Sequence, residues 1–185
     1  LSACLLLVCL LVAGPGPLRE LHGDLVAVLQ RNAGAPLSVT CIVDVMNLIG
    51  KCVVAGNVRR TAEIAFGDPL SEEYVDLKNY ARHPERAGHG WASNNSVFAS
   101  LGMDYSAVCE RVQANGEPGF AWLQNMQAFS RMGEPADHKD RRAQGGNPCL
   151  EQTLESYGAP NSHSLAPLLL PVFLFFVSVT ACLSR

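Results

Sequence analysis

"VVAGNVRRTAEIAFGDP", residues 53–69, changes its apolar period midway, and that change sets the fold class. The run leading into it, "CIVDVMNLIGKCVVAG" (41–56), spaces Ile42, Val45, Met46 and Ile49 as one face of a helix. Ser38 or Thr40 stands where an N-cap belongs, and Gly56 stops the helix while permitting an unusual backbone angle. Beyond it "RRTAEIAFGD" (59–68) alternates, with Ala62, Ile64 and Phe66 on one side, which is the pattern of a strand. The loop between, "AGNVRRT" (55–61), is rich in groups that suit phosphate. Helix, loop and strand in succession predict an α/β fold.

Residues 18–33 place Leu18, Leu21, Leu25, Val28 and Leu29 on one helical face, ended by Gly34 and Pro36. "DPLSEEYVDLKNY" (68–80) reads as a helix opened by Asp68-Pro69, residues 81–96 as loop, and "VFASL" (97–101) as a short strand. Residues 104–116 read as an amphipathic helix capped by Asp104 and closed by Gly116. "GFAWLQNMQAFSRMG" (119–133) suits strand or helix, and "EPADHKDRRAQGG" (134–146) reads as a polar connector.

The 185 residues suffice for one ordinary domain, and 48% hydrophobic content with a net charge of -3 describes a soluble globular chain. No basic surplus points to nucleic acid or to an anionic membrane surface. The ends differ from the middle. Residues 1–17, "LSACLLLVCLLVAGPGP", form an apolar, signal-like run without a basic leader, and the first methionine is Met46, so a processed product or a fragment is expected. Residues 164–184 carry no charge and are long enough to span a bilayer, with small residues before them that suit a lipid-anchor signal.

Seven cysteines show no CxxC pair and no His/Cys ligand spacing, so neither a disulfide framework nor a metal site is expected. Cys41, Cys52 and Cys109 read as small buried hydrophobes in a reducing compartment. His22, His83, His89, His138 and His163 read as unpaired surface or loop residues.

Cys149 follows a Gly-Gly-Asn-Pro turn in "GGNPCLEQ" (145–152), with Glu151 two positions on. A nucleophilic thiolate wants a nearby base or positive field, and the acidic neighbour opposes it. A metal site wants more ligands than the stretch holds. A structural cysteine remains open. So does a hydrogen-atom carrier, which need not ionise and whose neighbouring carboxylate can act as a general base.

"NPCLEQ" (147–152) resembles the thiyl-radical loop of ribonucleotide reductases. With "VVAGNVRRTAEIAFGDP" (53–69), "LKNY" (77–80), "WASNNSVFA" (91–99) and "NGEPGFAWLQNMQAFSRM" (115–132), the chain resembles the adenosylcobalamin-dependent branch over residues 18–157. The resemblance implies a ten-stranded α/β barrel, incomplete in this chain, with the cysteine loop inside it. It implies that Cys149 becomes a thiyl radical removing the 3′ hydrogen of a ribose, that Glu151 takes the 3′-hydroxyl proton, and that Asn147 orients the substrate hydroxyls. Pro148 would stiffen the turn and Gly145–Gly146 let it bend tightly. Gly56, Asn57, Arg59 and Arg60 match the loop between effector nucleotide and substrate base; read alone, the two arginines favour a solvated pair at a strand start, and the resemblance reverses that preference. "SNNS" (93–96) takes no catalytic role, and Asn94-Asn95-Ser96 is by itself a glycosylation acceptor pattern. Implied partners are a nucleoside triphosphate substrate, a deoxynucleotide effector and a dithiol reductant such as thioredoxin, with no nucleic acid, a membrane only through the 164–184 tail, and a cytoplasmic location.

The chain departs from this pattern at both ends. No cysteine lies between Cys149 and Cys182, where the family continues into a dithiol, and no cobalamin-binding region is recognisable. The expected organisation is an apolar segment at 1–17, a partial reductase barrel at 18–157 and a divergent tail at 158–185, a fragment without turnover alone. The alternative is a secreted or membrane-anchored non-enzymatic protein, which uses both apolar ends but leaves "NPCLEQ" and "AGNVRRT" unexplained.

Overall fold

A computed structural model describes residues 14–56, 61–129 and 135–157, and the backbone of 177–179. The chain divides into two compact units, Leu1–Ala62 with Asp76–Ser93, and Glu63–Val75 with Asn94–Arg185.

Among the described residues, the first unit is built on two helices, α1 (Pro15–Arg31) and α2 (Val39–Val54). Helix α1 begins three residues before the apolar pattern because Pro15 at its first turn needs no hydrogen-bond acceptor. Ser38 is the N-cap of α2, its Oγ accepting from the Cys41 N–H at 3.1 Å. Val28, Cys41 and Leu48 form the core between the helices, with Leu21, Leu25 and Val45 packed against them. Leu29, assigned to the buried face from sequence, is half exposed. Two 3₁₀ turns, Pro84–Gly88 and Gly90–Ala92, complete the unit.

The second unit holds strands β1 (Glu63–Gly67), β2 (Ser93–Phe98, its first residue shared with the other unit) and β3 (Gly119–Ala121). With β6 (Val177–Val179) they form a four-stranded sheet in the order β3-β2-β1-β6. β2 runs parallel to β3 with Ser96 opposite Gly119, and β1 runs parallel to β6 with Glu63 opposite Val177. A second sheet is the antiparallel pair β4 (Ala143–Gly146) and β5 (Thr153–Glu155). Three helices lie between strands: α3 (Glu72–Val75), α4 (Ser106–Asn115) and α5 (Leu123–Phe129).

Ile64 and Phe66 of β1 and Ala121 of β3 are the core of this unit, joined by Phe98, Met126 and Leu150. The Phe66 and Phe98 rings stack at 5.0 Å. Gly67 lies under the Tyr74 ring, where a Cβ would stand 2.3 Å from a ring carbon. The buried Tyr74 hydroxyl reaches Ala65 O at 2.6 Å and Ser96 O at 2.8 Å, and accepts from the Ser96 N–H at 3.1 Å, pinning β1 to β2.

The fold is thus mixed α/β with parallel strand pairs, and the described residues close no barrel. Residues 68–80 hold only the four-residue α3: Ser71 Oγ accepts from the Tyr74 N–H at its start, and beyond Val75 Asn79 Nδ2 donates to Asp76 Oδ1 at 2.8 Å, a local bond that competes with helix continuation. β2 begins at Ser93, inside the stretch read as loop. Helix α4 starts at Ser106, with Asp104 accepting from the Ser106 N–H at 2.9 Å just ahead of it. "GFAWLQNMQAFSRMG" is strand and then helix, and the polar connector ends in strand β4. Among the described residues no helix is long and apolar enough to cross a membrane. Residues 1–13 and most of the 158–185 tail lie outside them.

Candidate active site

The β4–β5 hairpin ends in a tip closed by Asn147 and Gln152. The Asn147 N–H donates to Gln152 O at 3.1 Å, as in an ordinary antiparallel pair. The return bond differs. Asn147 O already accepts from the Leu150 N–H at 2.8 Å, which makes Pro148 and Cys149 the central residues of a β-turn. The Gln152 N–H therefore donates to the side-chain Oδ1 of Asn147, at 3.0 Å. Asparagine supplies a second carbonyl where the backbone has only one, and proline pre-sets the first central φ.

Leu150 follows at φ 59, a left-handed conformation costing a non-glycine residue about 1–2 kcal/mol. Its side chain packs on the Ile64, Phe66 and Ala121 cluster, and that burial offsets the cost. Asn147 and Pro148 are buried, whereas Cys149 and Glu151 are exposed. The hairpin thus presents a thiol and a carboxylate two residues apart from a base that is bonded and buried.

The glycines before the turn serve a different purpose from the one expected. Neither Gly145 nor Gly146 has a positive φ, so no tight bend requires them. Space does: a Cβ on Gly145 would stand 2.8 Å from the Phe66 ring, and one on Gly146 2.6 Å from the Gln152 carbonyl oxygen. Gly56 does hold a positive φ, 85°, at the end of α2. Asn57, Arg59 and Arg60 lie outside the described residues.

Asn94 joins the site from β2. Its Nδ2 donates to Pro148 O at 2.8 Å, across 54 residues of sequence. That nitrogen is the atom a glycan would be attached to.

Two buried polar groups were invisible to sequence reading. In the first unit Asp44 Oδ1 takes three contacts, from Arg86 Nε at 2.8 Å, Arg86 Nη2 at 2.6 Å and His89 Nε2 at 2.9 Å. His89, read as an unpaired surface or loop residue, is buried and paired here. Burial pushes the Asp44 carboxyl up, but the His89 and Arg86 hydrogen bonds outweigh it and hold the pKa below the usual range. One turn along α2, both ends of the buried Asn47 amide lack a partner among the described residues, as does Arg86 Nη1. In the second unit Glu63 is buried on β1 with no described partner for Oε2, and burial pushes its pKa up to about 8. Its only signal is a carboxylate inside the alternating run "AEIAF", out of phase with Ile64 and Phe66. Cys41 and Cys52 are buried as expected, while Cys109 on α4 is exposed. No group of three or more His, Cys, Asp or Glu side chains suited to a metal occurs among the described residues.

Fold and site together define an α/β protein that offers a cysteine and a glutamate from one buttressed turn. Over about four-fifths of its length the chain is homologous to adenosylcobalamin-dependent ribonucleoside-triphosphate reductases. It is 63% identical over 158 residues to a probable enzyme of that name from Dictyostelium discoideum, covering 81% of this chain and 21% of that one. It is 62% identical over 144 residues to the Euglena gracilis enzyme, covering 78% and 20%. To the Lactobacillus leichmannii enzyme it is 35% identical over 159 residues, covering 85% and 21%. The chain therefore spans about a fifth of the length of these relatives. No family model matches the chain, and no solved structure does.

Proposed function

We propose that residues 18–157 are part of the catalytic barrel of a ribonucleoside-triphosphate reductase, and that the Cys149 hairpin is its radical loop. The carrying observation is the hairpin tip itself, a bonded turn presenting Cys149 and Glu151, within a segment 63% identical to a reductase. The face of β1 that bears Ile64 and Phe66 carries this hairpin through Gly145 and Leu150, which suits a loop held on the inner wall of a ten-stranded barrel completed by other strands.

In this reading Cys149, as a thiyl radical, takes the 3′ hydrogen atom of the ribose, forming S–H and leaving a carbon radical. Glu151 takes the proton of the 3′-hydroxyl while the 2′-hydroxyl, protonated by an external dithiol, leaves as water. After two electrons arrive from an external dithiol, thioredoxin being of the right class, Cys149 returns the hydrogen. An S–H bond close in strength to the C–H bond keeps the transfer nearly reversible. The Asn147 Oδ1 is engaged by the Gln152 N–H, so its NH₂ is the end that meets a substrate hydroxyl. Arg59 and Arg60 serve base or phosphate contacts beside a deoxynucleotide effector. The location is cytoplasmic.

The relatives are named for adenosylcobalamin, a cofactor that supplies radical chemistry when bound. The groove bordered by Glu20, Asp24, Lys51 and Ala55 has about 60 Å³ of room, far below what a corrin needs.

The test replaces the matching segment of the Dictyostelium enzyme with residues 18–157 of this chain. Deoxynucleotide formation from a ribonucleoside triphosphate, adenosylcobalamin and a dithiol is expected, and Cys149→Ser is expected to abolish it. A folded chimera without turnover, beside an active parent, overturns the proposal. The 185-residue chain alone is expected to show none.

A further inference from the structure

We infer that Asn94 is a positioning residue for Cys149, an inference that rests on the radical-loop reading. A hydrogen-atom carrier works only if its sulfur keeps one place relative to the substrate carbon, since small displacements cost large factors in rate. The turn around Cys149 has an anchor on each side. After it, Leu150 is seated in the Ile64–Phe66–Ala121 cluster. Before it, the only polar handle of Pro148 is its carbonyl, because proline has no N–H. That carbonyl belongs to the peptide joining Pro148 to Cys149, and Asn94 Nδ2 holds it at 2.8 Å.

The strand geometry explains why Asn94 can reach. Asn94, Ser96 and Phe98 alternate onto one face of β2, and Phe98 on that face stacks on Phe66. The same face that seats Leu150 through Phe66 and Phe98 therefore seats Pro148 through Asn94. Fixing this peptide plane sets the φ of Cys149 and the direction in which its Cβ leaves the turn. Asn94 touches no reacting atom in this arrangement; it acts through the backbone of the turn.

The experiment is residue-resolved amide exchange on the chain carrying Asn94→Asp, which keeps size and loses the donor, and on Asn94→Ala. In both, exchange at Leu150 and Gln152, whose N–H groups close the turn, is expected to rise about fivefold, the scale of one lost hydrogen bond. The Ala99 N–H, bonded to Ala121 O in the sheet, is expected to stay unchanged. A rise at Ala99 equal to that at Leu150 reduces Asn94 to general scaffolding, and no rise at Leu150 removes the latch; either result overturns the inference. In the reductase chimera, the same variants are expected to lower kcat about fivefold at unchanged KM. A loss confined to KM also overturns it. A chimera without any turnover counts against the reductase reading and leaves the exchange result standing.

Discussion

The ring of Phe66 lies directly over Gly145, so close that a Cβ there would stand 2.8 Å from Cε2. Through this contact strand β4 rests on strand β1, and the hairpin inherits its place from a core aromatic. Gly145→Ala is expected to cost about 1–3 kcal/mol of stability, since Phe66 is fully buried and has little room to turn away. Gly146→Ala is expected to cost at least as much, because its obstacle is the Gln152 backbone oxygen at 2.6 Å. Thermal unfolding checks both, and an unchanged midpoint for either contradicts the packing described.

Asn147 combines a fold task with the substrate task proposed for it, and the two separate by substitution. Asn147→Asp keeps an oxygen for the Gln152 N–H and loses the NH₂ donor. Stability is expected to stay within about 0.5 kcal/mol, while Asn147→Ala loses about 1–2 kcal/mol with the bond. In the reductase chimera both are expected to lose turnover. An Asp variant as unstable as the Ala variant argues against the side-chain bond as the closure of the turn.

The Asp44 site gives an acid-side prediction. Its folded pKa lies below the unfolded carboxylate value, so its contribution is complete above that value and is lost as pH falls through the folded pKa. Asp44→Asn is expected to cost about 3–5 kcal/mol near neutral pH by leaving Arg86 and His89 unpaired, and to flatten the acid limb of the stability curve. Denaturant titrations across the acid range read this out; a variant with the parent's acid limb removes Asp44 as its cause.

Glu63 works in the opposite sense. Its folded pKa, about 8, stands well above the unfolded carboxylate value, so the folded state holds the extra proton between the two. Stability is expected to fall as pH rises through that window, by up to about 1.4 kcal/mol per unit, and to level off above it. Glu63→Gln is expected to abolish the slope. A slope that survives the substitution belongs to another group.

The helix–loop–strand passage at 53–69 was legible because a buried helix face and a half-buried strand impose different apolar periods on adjacent residues. The two long helices and strand β1 followed from that alone. The stretch 68–80 misled because its charged residues fit a helix, while Asp76 and Asn79 bond to each other locally in a way no period records. His89 misled for another reason: a lone histidine in a loop has no partner in its own vicinity, and Asp44 stands 45 residues away.

By itself the sequence determined the α/β class, the main helices and the radical-loop resemblance of Cys149, Glu151 and Asn147, all carried by residues close together in the chain. Tertiary structure alone decided what holds that loop: Phe66 against Gly145, Leu150 in the core, and Asn94 on Pro148. It also decided the ionisation of Asp44 and Glu63. Close approach, burial and pairing between distant residues depend on how the chain closes on itself, and no local pattern encodes that closure.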